Sequence, residues 1–165
     1  MARYRRNFVP GGTYFFTVIS ARRIPFFGTE SRVAALRDAV REVRVRWPFE
    51  IVAWVVLPDH LHCVWRLPPE DADYPRRWAQ IKRLTGQRLA VLGLWQRGYW
   101  EHTIRDDKDL ARHVDYVHWN PVKHGYVLRA LDWPWSSFHR AVRLGLYPKG
   151  WGLAEDTFAG DGFGE

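Results

Sequence analysis

The sequence predicts an α+β domain, an antiparallel sheet of about four to five strands with helices packed over one face. Two observations lead there. Short β-branched and aromatic runs alternate with longer segments of helical apolar spacing, in the order strand, helix, two strands, helix, strand, helix. The two middle strand-like runs are separated by little more than Pro58-Asp59, which makes them a hairpin.

The first strand is "TYFFTVIS", residues 13–20, entered from Gly11-Gly12. Residues 30–47 form a helix: Val33, Leu36, Val40 and Val43 give the apolar stripe, and five arginines between Arg32 and Arg46 give a basic outer face. "FEIVAWVVL", residues 49–57, is apolar throughout and is expected at the centre of the sheet. Its hairpin partner is "HLHCVWRL", residues 60–67. A second helix spans 75–92, with Trp78, Ile81, Leu84 and Leu89 inward and Arg76, Arg77, Lys82 and Arg83 outward. "LWQRGYWEHTIR", residues 94–105, is too aromatic and too interrupted by Gly98 to continue it, and reads as a loop with a short strand. Asp106 or Asp107 caps a third helix over 108–120, which Pro121 is expected to stop. The final "GDGFGE" reads as a mobile tail. Without repeats or linker-like stretches, 1–165 is one domain with a short basic N-terminal arm.

Composition narrows the function. A chain of 165 residues, 47% hydrophobic, buries a core without disulfide or zinc staples. Lys and Arg outnumber Asp and Glu by 25 to 18, and a net charge of +7 suits a phosphate polymer as partner. The single cysteine, Cys63, rules out an internal disulfide, a zinc ribbon and a CxxC redox motif. "MARYRRNFVPGG" has charges but no apolar core of a signal peptide, and no run is long enough to span a bilayer. A cytoplasmic protein with no membrane partner is expected.

The stretch "LPDHLHCVWRL" puts His60 and His62 on one face of a strand, roughly 6–7 Å apart, with Leu61 and Cys63 on the other. Two imidazoles so spaced can converge on one ion at about 2.0–2.2 Å, though two ligands leave a metal site incomplete. They are equally compatible with a hydrogen-bonded structural pair. In "LARHVDYVHWNPVKHGYV", Leu110, Val114 and Val117 form one helical stripe, while Tyr116 and Asn120, four apart, share a neighbouring flank. That spacing sets a phenol beside an amide; a boundary tyrosine and a C-terminal asparagine are the ordinary alternative.

"LPDHLHCVW" followed by "YVHWNPVKHGYV" resembles the HUH-type single-tyrosine transposases of the smallest bacterial insertion sequences, and most closely the REP-associated tyrosine transposases. The likeness extends from "VPGGTYFFTV" through "LWQRGYWEHTIRDDKDL" to "WPWSSFHRAVRLGLYP". It implies the ferredoxin-like HUH single-strand endonuclease fold. His60 and His62 match the histidines that bind a divalent ion, Mg²⁺ or Mn²⁺. Tyr116 matches the nucleophile, and Asn120 falls where the family supplies a third, oxygen-bearing ligand. The implied activity is cleavage and rejoining of single-stranded DNA near a hairpin, through a 5′-phosphotyrosine. The covalent bond stores the energy for rejoining, so no triphosphate is needed, and the chain has no GxxxxGK[ST]. A nucleoid-associated location follows, and relatives include both monomers and homodimers.

Other residues carry less. Tyr126 lies beyond Pro121 and Gly125, and Tyr99 sits in an aromatic loop, so neither is beside an amide as Tyr116 is. His102 reads as structural and is left out of the ligand set; His113, His118 or metal-bound water are open as the base for Tyr116. Among the basic runs, Arg3, Arg5 and Arg6 in the N-terminal arm and Lys82 and Arg83 on the second helix are the candidate DNA contacts. Two rivals remain: a non-catalytic binder of structured nucleic acid, and a metal-dependent phosphohydrolase with no covalent step.

Overall fold

The computed structural model describes residues 5–155, so Arg3 and the "GDGFGE" end lie outside the described residues. The elements follow the expected order: β1 (Thr13–Ile19), α1 (Glu30–Arg46), β2 (Glu50–Val56), β3 (His60–Arg66), α2 (Tyr74–Leu89), β4 (Trp100–Thr103), α3 (Asp107–Lys123) and a short α4 (Phe138–Arg143). The four strands form one sheet in the order β2-β3-β1-β4, and every neighbouring pair is antiparallel. Among the described residues no helix is long and apolar enough to cross a membrane.

Helices cover both faces of this sheet, not one. Alternation along the strands divides the core. Tyr14, Phe16 and Val18 of β1, with Leu61, Cys63 and Trp65 of β3, pack beneath α1 and α2. Phe15, Ala53, Val55 and Val64 point the opposite way and meet Tyr116 and Val117 of α3. Six of the seven residues of β3 are buried, which requires cover on both sides. On the first face the Trp65 and Trp78 rings stack with centroids 4.3 Å apart, pinning α2 to β3.

The apolar run at β2 was expected at the sheet centre, but β2 is an edge strand. Its outer side is closed by the segment before α4. Val56 N–H donates to Trp135 O, Ser137 N–H donates to Trp54 O, and the Ser137 hydroxyl accepts from Trp54 N–H. Burial by this strap accounts for its hydrophobicity as well as a central position would.

Arg77, expected outward, is buried. Its guanidinium makes a bidentate pair with Asp71 at 2.7 and 3.0 Å and also donates to the carbonyls of Trp47, Pro48 and Asp73.

Pro121 does not stop α3. Asp106 caps its start by accepting from Asp109 N–H, and the helix runs through the proline to Lys123. Proline removes only its own N–H; Asn120 O still accepts from His124 N–H, and Gly125, at φ +74°, turns the chain away. This extra turn carries Lys123 and His124 to the site.

Candidate active site

Strand β3 turns His60 and His62 toward α3, where they are 2% and 0% exposed. Each imidazole is held through Nδ1. His60 donates to Asp59 Oδ1 at 2.6 Å, since an ionised carboxylate can only accept. His62 Nδ1 is 2.8 Å from the hydroxyl of Thr17, its register partner on β1. These Nδ1 contacts fix the orientation of both rings. The two rings meet edge to face, centroids 4.8 Å apart.

From the opposite side α3 presents one flank, on which Tyr116, Asn120 and His124 succeed one another at four-residue steps. The Tyr116 ring lies 5.3 Å from that of His62, and the His124 ring lies 5.1 Å from that of His60. Asn120, fully buried, stands on the turn between these two contacts. The two motifs therefore come together across the strand–helix interface. Lys123, from the turn beyond Pro121, reaches back along the helix, and its ammonium donates to Tyr116 Oη at 2.9 Å. Neither Lys123 nor His124 was expected, because both lie past the proline read as the helix end.

A second cluster lies one helical turn toward the N-terminus of α3. His102 of β4, with Asp109 and His113 of α3, offers three ligand atoms within 4.8 Å of one another and is a candidate metal site. Phe15 stands between the clusters, 4.9 Å from the His113 ring and 5.5 Å from that of His62. The carboxylate of Asp109 already accepts from His102 Nε2 at 2.8 Å and from Arg105 N–H at 2.9 Å. Burial opposes its charge, but these bonds outweigh it and hold the carboxyl below its ordinary range. His113 donates through Nδ1 to Asp109 O, and burial keeps it below the ordinary histidine value.

His118 points to α4 instead, between the Tyr147 and Ser137 hydroxyls at 2.8 and 2.7 Å. Burial, helped by Arg140, brings its pKa down to about 3.

The remaining candidates are dispersed. Arg5 is exposed, whereas the guanidinium of Arg6 lies 3.8 Å over the Tyr99 ring. Lys82 donates to the carbonyls of Gln96 and Gly98, and burial, with Arg6 nearby, lowers it to about 8. Arg83 is exposed and bonded to Gln80 and Gln87. Tyr99 packs against Trp78 and is pushed up to about 12 by burial; Tyr126 lies at the site's margin, 6.1 Å from the His124 ring.

A REP-associated tyrosine transposase of Escherichia coli (strain K12) is 47% identical over 163 residues, covering 98% of each chain. A Haemophilus influenzae relative, provisionally named in the same family, is 43% identical over 92% of this chain and 94% of its own. A solved structure of a REP-associated tyrosine transposase bound to a REP hairpin is similar with a TM-score of 0.91 at 44% identity, covering 100% of this chain and 98% of that one. No family model matches the chain. The chain belongs to the REP-associated tyrosine transposases.

Proposed function

We propose that this protein cleaves and rejoins single-stranded DNA beside a REP-type hairpin, with Tyr116 as nucleophile and His60, His62 and Asn120 holding a divalent ion. The observation that carries this reading is the contact of the Tyr116 ring with His62, on the helix flank that also bears Asn120. The relative solved with a REP hairpin supplies the class of DNA.

Two imidazole nitrogens and one amide oxygen are a donor set that a divalent ion accepting both nitrogen and oxygen can use; Mn²⁺ suits it better than the harder Mg²⁺. When bound, the ion supplies charge neutralisation at the non-bridging oxygens of the scissile phosphate. Asp59 and Thr17 orient the imidazoles that hold it. Tyr116 Oη attacks phosphorus in line; an Oη–P bond forms, the P–O3′ bond breaks, and a 3′-OH is freed. The phosphodiester energy stays in the phosphotyrosine, and the 3′-OH of the same or another strand reverses the step. His102, Asp109 and His113 are the competing seat for an ion, but the hydrogen bonds already made to Asp109 weigh against them.

The test is Tyr116→Phe, incubated with labelled hairpin DNA and Mn²⁺ or Mg²⁺ and run on denaturing gels. Cleavage and the covalent adduct should both disappear while hairpin affinity stays within about twofold, because affinity comes mainly from phosphate contacts. An adduct from the variant would reject Tyr116. Normal cleavage without any adduct in the wild type would favour a water-using hydrolase, and neither product a non-catalytic hairpin binder.

A further inference from the structure

We infer that Lys123 is a catalytic residue, holding the oxygen of Tyr116 and balancing the negative charge it carries as it attacks and as it leaves. The inference rests on the nucleophilic role proposed for Tyr116. Nζ donates to Oη at 2.9 Å and lies 4.9 Å from the centre of the same ring. The two residues are seven apart, nearly two full turns, and helical side chains lean toward the N-terminus, so a long lysine on the later turn reaches the earlier phenol. The reach exists only because α3 continues through Pro121. Tyr116 is 0% exposed, so the oxygen has little water to share its charge, and a fixed ammonium acts there in a low dielectric.

The chemistry needs such a group in both directions. In cleavage, Oη–P forms as P–O3′ breaks; the phenolic proton goes to solvent and O3′ takes one from solvent. In rejoining the phenol oxygen is the leaving group and again bears charge. Lys123 acts in both directions as the hydrogen-bond donor to Oη. A merely structural lysine would fill space and anchor the helix end without touching the reacting atom.

The experiment compares Lys123→Met and Lys123→Arg for single-turnover adduct formation, for rejoining from isolated adduct, and for hairpin affinity. Lys123→Met should slow both chemical steps by about 10²–10³-fold, as removal of one charge-stabilising donor does, with affinity unchanged. Lys123→Arg should recover at least tenfold of that. A substrate with sulfur in place of the bridging 3′ oxygen separates roles. Its better leaving group should not rescue Lys123→Met if lysine serves the nucleophile; full rescue would reassign the lysine to the leaving oxygen and overturn the inference. Full speed of Lys123→Met on ordinary DNA would also overturn it. If Lys123→Met does not fold, Lys123→Cys is assayed before and after aminoethylation, which rebuilds an ammonium of the same length; Cys63 is buried and spared. Activity returning with the ammonium supports the inference, and equal activity before and after rejects it. An adduct from Tyr116→Phe would remove the nucleophile reading itself; its loss there together with full activity in Lys123→Met would remove the lysine alone.

Discussion

At the scale of single residues, the hydrogen bonds around His118 have a direction that fixes its protonation. Trp54 N–H donates to Ser137 Oγ, leaving that hydroxyl to donate to His118 Nε2. On the other side, Tyr147 Oη donates to Asp115 Oδ1 at 2.8 Å and so accepts from His118 Nδ1. The neutral, Nδ1-protonated ring completes the chain; a second proton has no acceptor at Ser137 unless that hydroxyl turns. Its folded pKa, about 3, lies below the ordinary 6.5 of the unfolded chain. Between those values the unfolded state binds the extra proton, so stability rises with pH. The contribution of His118 is complete above about pH 6.5 and is lost progressively as pH falls toward 3. Urea unfolding of the wild type at several pH values should show this slope, and His118→Gln should flatten it. An unchanged slope in the variant would assign the acid sensitivity to other groups.

At the scale of elements, strand and helix order was legible because periods of two and 3.6 residues are written directly into apolar positions. The antiparallel hairpin of β2 and β3 and the capping of α3 by Asp106 were readable for the same local reason. What was not readable depended on partners distant in sequence. The strap that closes the β2 edge comes from residues some 80 positions later, through Trp135 and Ser137. Arg77 looks like a surface arginine until Asp71 and three carbonyls are folded around it. His60, His62, Tyr116 and Asn120 were named together only through the resemblance of their two motifs to the tyrosine transposases; Lys123 and His124 were lost to a local rule about proline. The rule describes the cost of a missing N–H, and here the last turn bears that cost without unwinding.

For the whole molecule, the charge of +7 sets how the proposed DNA partner is held. Hairpin affinity should fall as a power of salt concentration, with a slope of about −0.9 for each duplex phosphate neutralised. Replacing Arg5 and Arg83, the exposed members of the predicted DNA contacts among the described residues, should make that slope shallower by about one per lost phosphate contact, measured by filter binding across a salt series. A slope that stays the same would mark these two arginines as solubilising surface. Lys82 is bonded to backbone carbonyls that place the 94–99 loop, so its replacement should disturb that loop as well as charge.

Tyr116, His62 and Asn120 are each 0% exposed, enclosed between the sheet and α3. Under the proposed function a phosphodiester reaches that oxygen only when the packing around Tyr116 opens. If the proposed phosphotyrosine forms, a protein that bonds itself to DNA is a hazard to the genome that houses it, and this enclosure would act as a safety catch. On that reading stray single strands would find no nucleophile, whereas a bound hairpin would use its binding energy to open the interface. Amide exchange along the second half of α3 should then quicken when hairpin DNA is added and stay slow with an unstructured strand of equal length. Equal exchange with both would mean that the catch is released by any DNA, and that selectivity lies in grip alone.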